Sequence, residues 1–115
     1  MHEISLMAEV IQLVSEDAKL KGINKIEKIE LTVGDLSNVL HDALELAFIY
    51  FKEEGLVSEN ATLHINREKA SALCMTCKNI FEPDYRIAFC PECKTPSSRM
   101  ISGESFMVNS YEGSE

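Results

Sequence analysis

A chain of 115 residues, 45% of them hydrophobic, is long enough for one small core with an appended module and too apolar to be a disordered tail. It holds no apolar run of about 18 residues, which excludes a membrane-spanning helix. The formal net charge is -8, and the eleven lysines and arginines are scattered, which argues against a binder held on nucleic-acid phosphates.

Residues 4–20 place Ile4, Met7, Ala8, Ile11, Val14 and Ala18 three and four apart, the stripe of an amphipathic helix. Leu6, Val10 and Leu13 widen it, predicting burial on more than one side. Gly22 suits the helix stop. Residues 26–33 switch to period two, with Ile29, Leu31 and Val33 on the buried side of a strand that ends at Gly34-Asp35. Leu40, Ala43, Leu44, Ala47 and Phe51 predict a second helix over 39–54, with Asn38 as N-cap and Gly55 as stop. Residues 61–68 alternate again, Leu63 and Ile65 opposite Thr62, His64 and Asn66. Parallel strands joined by a right-handed crossover follow from this β-α-β order.

Residues 70–98 differ in kind. They hold all four cysteines and all three prolines, and they carry too few aliphatics to form a core of their own. Strand character returns over 100–111, with Phe106 and Val108 on one face. The fold class expected is α+β: two helices packed on a small mixed three-stranded sheet, with the last strand returning to that sheet. Residues 1–69 and 99–115 form the core, and 70–98 an inserted zinc-ribbon-like module.

The module reads Cys74-Met75-Thr76-Cys77, then twelve residues, then Cys90-Pro91-Glu92-Cys93. Two C-x2-C turns converge four sulfurs on a tetrahedron, which suits one zinc ion. Four protein ligands leave no open position, so the zinc is structural. Lys78 and Lys94 each follow a pair, where their charge offsets a four-thiolate site. A redox dithiol leaves the second pair unexplained, while an iron-sulfur cluster uses the same number of cysteines.

The start carries a second feature. The terminal amine of Met1, the amide nitrogen of His2 and its imidazole can lie in one plane around a metal, a set that nickel(II) and copper(II) favour. The amide or carboxylate of Glu3 can fill a fourth position. Such a site needs Met1 retained, as the bulky His2 predicts. By spacing alone, a second-position histidine is more often a solvated terminal residue. His41, near the start of the second helix, reads as solvated or capping, and His64 as structural. The opening lacks a basic leader, which predicts the cytoplasm. No glycine-rich phosphate loop and no nucleophile with a base are present, so no enzyme is expected.

Taken together, Met1-His2-Glu3 before an amphipathic helix, the strand end Leu31-Thr32-Val33-Gly34-Asp35-Leu36, the interrupting C-x2-C…C-x2-C module and the acidic tail resemble the HypA/HybF family of hydrogenase maturation proteins. The resemblance covers essentially the whole chain. It implies a nickel metallochaperone that helps insert nickel into the large subunit of nickel-iron hydrogenase and, in some bacteria, serves urease. It implies His2 as the essential nickel ligand, with its own amide and that of Glu3 as further donors, and Cys74, Cys77, Cys90 and Cys93 as zinc ligands. The implied partners are the accessory GTPase (HypB), the hydrogenase large-subunit precursor and urease maturation proteins, with the chain itself a monomer or homodimer. The chain departs from the family at Asp35, where many members have glutamate, and in having no histidine within the cysteine module. A zinc-ribbon interaction or nucleic-acid-binding module without nickel function is the competing reading.

Overall fold

In the computed structural model, which describes residues 3–83, 89–96 and 98–115, the element order is α1 (Glu3–Leu20), β1 (Lys25–Gly34), α2 (His41–Glu53), β2 (Thr62–Glu68), β3 (Ser71–Cys74), β4 (Ile80–Phe81), β5 (Ser98–Ser102) and β6 (Phe106–Ser114). Two three-stranded sheets form, in orders β2-β1-β6 and β4-β3-β5. The chain divides into two compact units. The first is Met1–Thr32, Val39–Asn66 and Met107–Glu115; the second is Val33–Asn38 and Arg67–Phe106.

In the first unit, α1 buries Met7, Val10, Ile11, Val14 and Ala18, and α2 buries Leu44, Ala47 and Phe48. Ile26, Ile29 and Leu31 of β1 complete the core, together with Val57 and Ala61. The helix spacing read from the sequence thus marks the inward face of α1, but that face is narrower than expected, because Leu13 is 61% exposed. On α2, Leu40 is exposed and Phe48 takes the buried place. Both helices stop at the expected glycines. Ile23 N–H donates to Ala18 O and Gly22 N–H to Lys19 O, and the same pair of bonds recurs from Leu56 to Phe51 and Gly55 to Lys52.

The sheet is mixed, as expected. Ser58 N–H donates to Ile26 O and Asn66 Nδ2 to Glu30, so β1 and β2 run parallel. Asn24 N–H donates to Ser114 O, and Thr32 Oγ1 meets Asn109 Oδ1 at 2.8 Å, so β6 runs antiparallel to β1. The Tyr111 hydroxyl and Lys21 Nζ both donate to the Asp17 carboxylate, tying β6 to α1.

Two local expectations are corrected. Asn38 is not the N-cap of α2: its φ is 66°, and the cap is Leu40, which offers no side-chain acceptor. A carboxylate from far away in sequence serves this helix end instead, since Leu40 N–H donates to Glu3 Oε2 at 3.2 Å. The negative charge there also suits the positive end of the α2 dipole. The second correction concerns residues 100–111. They are two strands in different sheets, broken at Gly103 with φ 111°; β5 pairs antiparallel with β3, Leu73 opposite Arg99 and Cys74 opposite Ser98.

The second unit closes around the end of β1. Gly34 N–H donates to Ser105 O and Leu36 N–H to Gly103 O, both at 2.7 Å, and Asp35 N–H to Glu68 O at 3.0 Å. The Asp35 carboxylate receives Nε and Nη2 of Arg67, each at 3.1 Å. The Glu68 carboxylate accepts the Gly103 N–H at 2.6 Å and the Ser105 N–H at 3.3 Å. The Gly103 N–H holds the Glu68 carboxyl below its ordinary pKa against the opposing effect of burial, with Ser105 helping. A carboxyl depressed on folding contributes stability above its unfolded pKa and loses it as pH falls through the folded value. Stability curves of the native chain and Glu68→Gln are therefore expected to separate at neutral pH and converge in acid, as read by urea midpoints across pH.

Candidate metal centre

Each cysteine pair sits on a knuckle made by the chain around it. Cys74 N–H donates to Asn79 O and Lys78 N–H to Cys74 O; in the second pair, Cys90 N–H donates to Thr95 O and Lys94 N–H to Cys90 O. The two turns thus repeat one hydrogen-bond pattern. Each is completed by a lysine in the left-handed region, Lys78 at φ 63° and Lys94 at φ 56°.

The two knuckles bring all four predicted ligands together. The Sγ atoms of Cys74, Cys77, Cys90 and Cys93 lie within 4.8 Å of one another, with Cys74 to Cys93 at 3.3 Å and Cys77 to Cys90 at 3.6 Å. A tetrahedral ion with metal–sulfur bonds of about 2.3 Å has sulfur–sulfur edges of about 3.8 Å, so the set needs only small shifts of its sulfurs to fit zinc. Cys74 and Cys90 are buried, Cys93 is half-buried and Cys77 is exposed.

The electrostatics of the four thiols also call for a cation. The Cys77 backbone N–H, then the Cys93 thiol and the Thr76 N–H, hold Cys74 at about 6 against burial. The Cys93 N–H likewise lowers Cys90, with the Glu92 N–H helping. At Cys77 the Asn79 N–H pulls downward, but desolvation and the neighbouring sulfurs outweigh it and raise the thiol to about 12. Four thiols this close therefore do not all ionise alone, whereas a divalent ion between them stabilises every thiolate at once.

Asn79 and Thr95 are members of the site that the cysteine spacing did not reveal. Asn79 Nδ2 approaches Cys90 Sγ at 3.8 Å, and Thr95 Oγ1 lies 3.3 Å from Cys93 Sγ. Each occupies the second position after its pair, Cys77-Lys78-Asn79 and Cys93-Lys94-Thr95, so the repeat itself was the available signal. The lysines act here through backbone conformation, and both side chains are exposed. A left-handed residue with a Cβ costs about 1–2 kcal/mol, part of which glycine recovers. Lys78→Gly and Lys94→Gly are expected to stabilise the protein by up to about 1 kcal/mol each. A loss of metal affinity in a chelator competition would instead assign the lysine charge the larger part.

Met1 and His2 lie outside the described residues. Glu3, the first residue of α1, is half-buried, with its carboxylate on the Leu40 N–H. His64 is exposed and bonded to Asn66 Oδ1 at 2.9 Å, in keeping with a structural role. His41 is the first residue of α2.

Comparison with known proteins gives one consistent result. The family described as hydrogenase/urease nickel incorporation, metallochaperone, hypA matches residues 1–113. A hydrogenase maturation factor HypA from Moorella thermoacetica is 35% identical over 113 residues, covering 98% of this chain and 99% of that protein. One from Rhizobium leguminosarum is 34% identical, covering 97% and 98%. Among solved structures, the solution structure of the Ni metallochaperone HypA from Helicobacter pylori has a TM-score of 0.67 at 30% identity, covering 99% of this chain and 98% of that one. Another HypA solution structure has a TM-score of 0.68 at 31% identity, covering 98% and 96%.

Proposed function

Because the chain belongs to the HypA family of hydrogenase/urease nickel-incorporation metallochaperones, we propose that it carries nickel(II) at Met1-His2-Glu3 and passes it to the large-subunit precursor of nickel-iron hydrogenase. The accessory GTPase (HypB) is the partner proposed for that transfer, and urease maturation a second destination. The observation that carries this reading is the full-length family match together with a chain that opens Met1-His2-Glu3. Among the described residues no helix is long and apolar enough to cross a membrane, and the cytoplasm is the proposed place of work. The task is transfer of an ion, without catalysis.

Nickel is the cargo here. Its proposed donors are the Met1 amine, the His2 amide nitrogen and the His2 imidazole, with Glu3 completing the segment. A site built largely from main-chain nitrogens at a chain end is accessible, and losing one donor opens it for transfer. Binding releases the His2 amide proton, so affinity falls as pH falls. The four cysteines are proposed to hold one structural zinc per chain. When bound, that ion supplies a closed tetrahedral cross-link, while the backbone donors and the two knuckles orient the sulfurs. The acidic charge and the family match leave the nucleic-acid alternative without support.

The test is a calorimetric nickel titration of zinc-replete protein beginning at Met1, beside the same protein extended by one N-terminal residue. Tight binding is expected in the first and weak or absent binding in the second. Equal binding by both would place the ion elsewhere and overturn the terminal site.

A further inference from the structure

We propose that the outward face of α2 docks a basic, amphipathic helical segment of a partner protein. Asp42, Leu46, Ile49, Tyr50 and Glu53 stand at i, i+4, i+7, i+8 and i+11 of this helix, a spacing that puts them on one face at 3.6 residues per turn. All five are exposed. They lie opposite the face that buries Leu44, Ala47 and Phe48. A helix with one buried face ordinarily turns polar and charged residues outward. Here Leu46 is 68% exposed, Ile49 45% and Tyr50 48%. Positions three and four apart are neighbours on a helix, so the three form one continuous apolar stripe. Leu46 and Tyr50 also line a groove with Ile4 of α1 and Ala43. Single exposed apolar residues need no partner, but a contiguous apolar surface rimmed by charge marks an interaction site.

The charges around the stripe select its occupant. Asp42 stands before it, Glu53 after it and Glu45 along its side. None of these three carboxylates is in an ion pair among the described residues. Glu53 lies in the last turn, where the helix dipole is negative and a carboxylate is unfavourable. The basic residue of that turn, Lys52, is committed elsewhere: its Nζ donates to Ala61 O at 3.2 Å. A cation brought by a partner would offset Glu53 instead. Asp42 and Glu53 are about three turns apart, roughly 16 Å at 1.5 Å per residue. The fitting segment therefore carries basic residues about three turns apart with apolar residues between them, laid along the groove as a helix. The same carboxylates disfavour the other occupants. Two copies packed through this face would set acid against acid, and the anionic surface of a membrane would be repelled.

The test titrates zinc-replete, full-length protein with a synthetic amphipathic peptide of about 18 residues, long enough to form a helix. Its leucines recur at i, i+3, i+4 and i+7 between lysine–arginine pairs. Amide chemical shifts locate the binding and calorimetry measures it. Binding is expected to perturb the amides of His41–Glu53 and to weaken as salt rises. Leu46→Ser/Ile49→Ser is expected to lower affinity by about 10-fold or more, as loss of apolar anchors does. Asp42→Asn/Glu53→Gln, which leaves the stripe intact and guards against misfolding of the serine variant, is expected to lower it by about 3- to 10-fold and to flatten its salt dependence. Leu13→Ser, which removes an exposed leucine from α1, is expected to bind as the native protein does. No binding of the peptide to the native protein, or native affinity in Leu46→Ser/Ile49→Ser, overturns the proposal. So does equal binding of a peptide with glutamate in place of every lysine and arginine. Binding of phosphatidylglycerol vesicles, or self-association in ultracentrifugation, that disappears in Leu46→Ser/Ile49→Ser would give the face to a membrane or to a second copy and overturn it as well.

Discussion

Replacing Cys93 with serine, or removing the proposed zinc with a strong chelator, is expected to unfold the second unit and leave the helices of the first in place. The reason lies in what the second unit buries. Among the described residues its buried apolar side chains are Val33, Ala70, Ala72, Cys74, Pro83 and Cys90, two of which are alanines and two of which are cysteines of the proposed metal site. Such a core offers little hydrophobic area, so most of the stabilisation is expected from the proposed zinc cross-link. Structural zinc bound to small domains contributes about 10–16 kcal/mol of apparent binding free energy, which is folding free energy when no site exists in the unfolded chain. The first unit has its own core of Met7, Val10, Ile11, Val14, Ile29, Leu31, Leu44 and Phe48. Circular dichroism should therefore retain the helical signal after zinc removal. Amide exchange should accelerate at Ala72–Cys74 and Ser98–Ser102 and stay slow in α1. Retained protection in the second unit of zinc-free protein would show that its backbone pairing is enough.

The second large effect is expected from Gly34→Ala and Gly103→Ala. The bonds from Gly34 N–H to Ser105 O and from Leu36 N–H to Gly103 O draw two backbones together with no side chain between them. A Cβ at Gly34 would collide with the Gly103 carbonyl, and one at Gly103 would lie 2.6 Å from Ala70 Cα. Backbone atoms cannot swing aside as a flexible side chain can. Gly103 also has a φ of 111°, which a residue with a Cβ rarely adopts. A cost of about 2–4 kcal/mol is expected for each change, read as a lower urea midpoint with zinc still bound. A change of under about 0.5 kcal/mol, the level of an ordinary surface substitution, would mean that the two segments separate readily.

Much of the first unit was legible because its signals are local. The three-and-four spacing of Met7, Ile11, Val14 and Ala18, the alternation of Ile29 and Leu31, and the stops at Gly22 and Gly55 each follow from residues within one or two turns. What escaped depends on distant partners. Asn38 looked like a cap because short polar side chains serve helix starts, but the same side chain tolerates φ 66°, and the start of α2 is served by Glu3. The strand pattern over 100–111 runs through Gly103 without marking which sheet each half joins; that choice is made by pairing with β3 on one side and β1 on the other. The four cysteines were readable in full from spacing. Asn79 and Thr95 were not read, although each stands second after its pair; their approach to Cys90 and Cys93 shows only in three dimensions. The proposed nickel donors come from the resemblance of the opening residues to a family and lie mostly outside the described residues.

The way β1 is shared has a consequence for portability. Its residues up to Thr32 belong to the first unit, while Val33–Asn38 belong with the cysteines. A peptide cut at 67 and 106 would hold all four cysteines, yet the carbonyls of Glu68, Gly103 and Ser105 would lose the donors that Asp35, Leu36 and Gly34 provide. Arg67 would lose the carboxylate it grips. Such a fragment would bind metal as a loose chelate without settling into one conformation. Transplanting the cysteine unit onto another scaffold would therefore require residues 33–38 to travel with it.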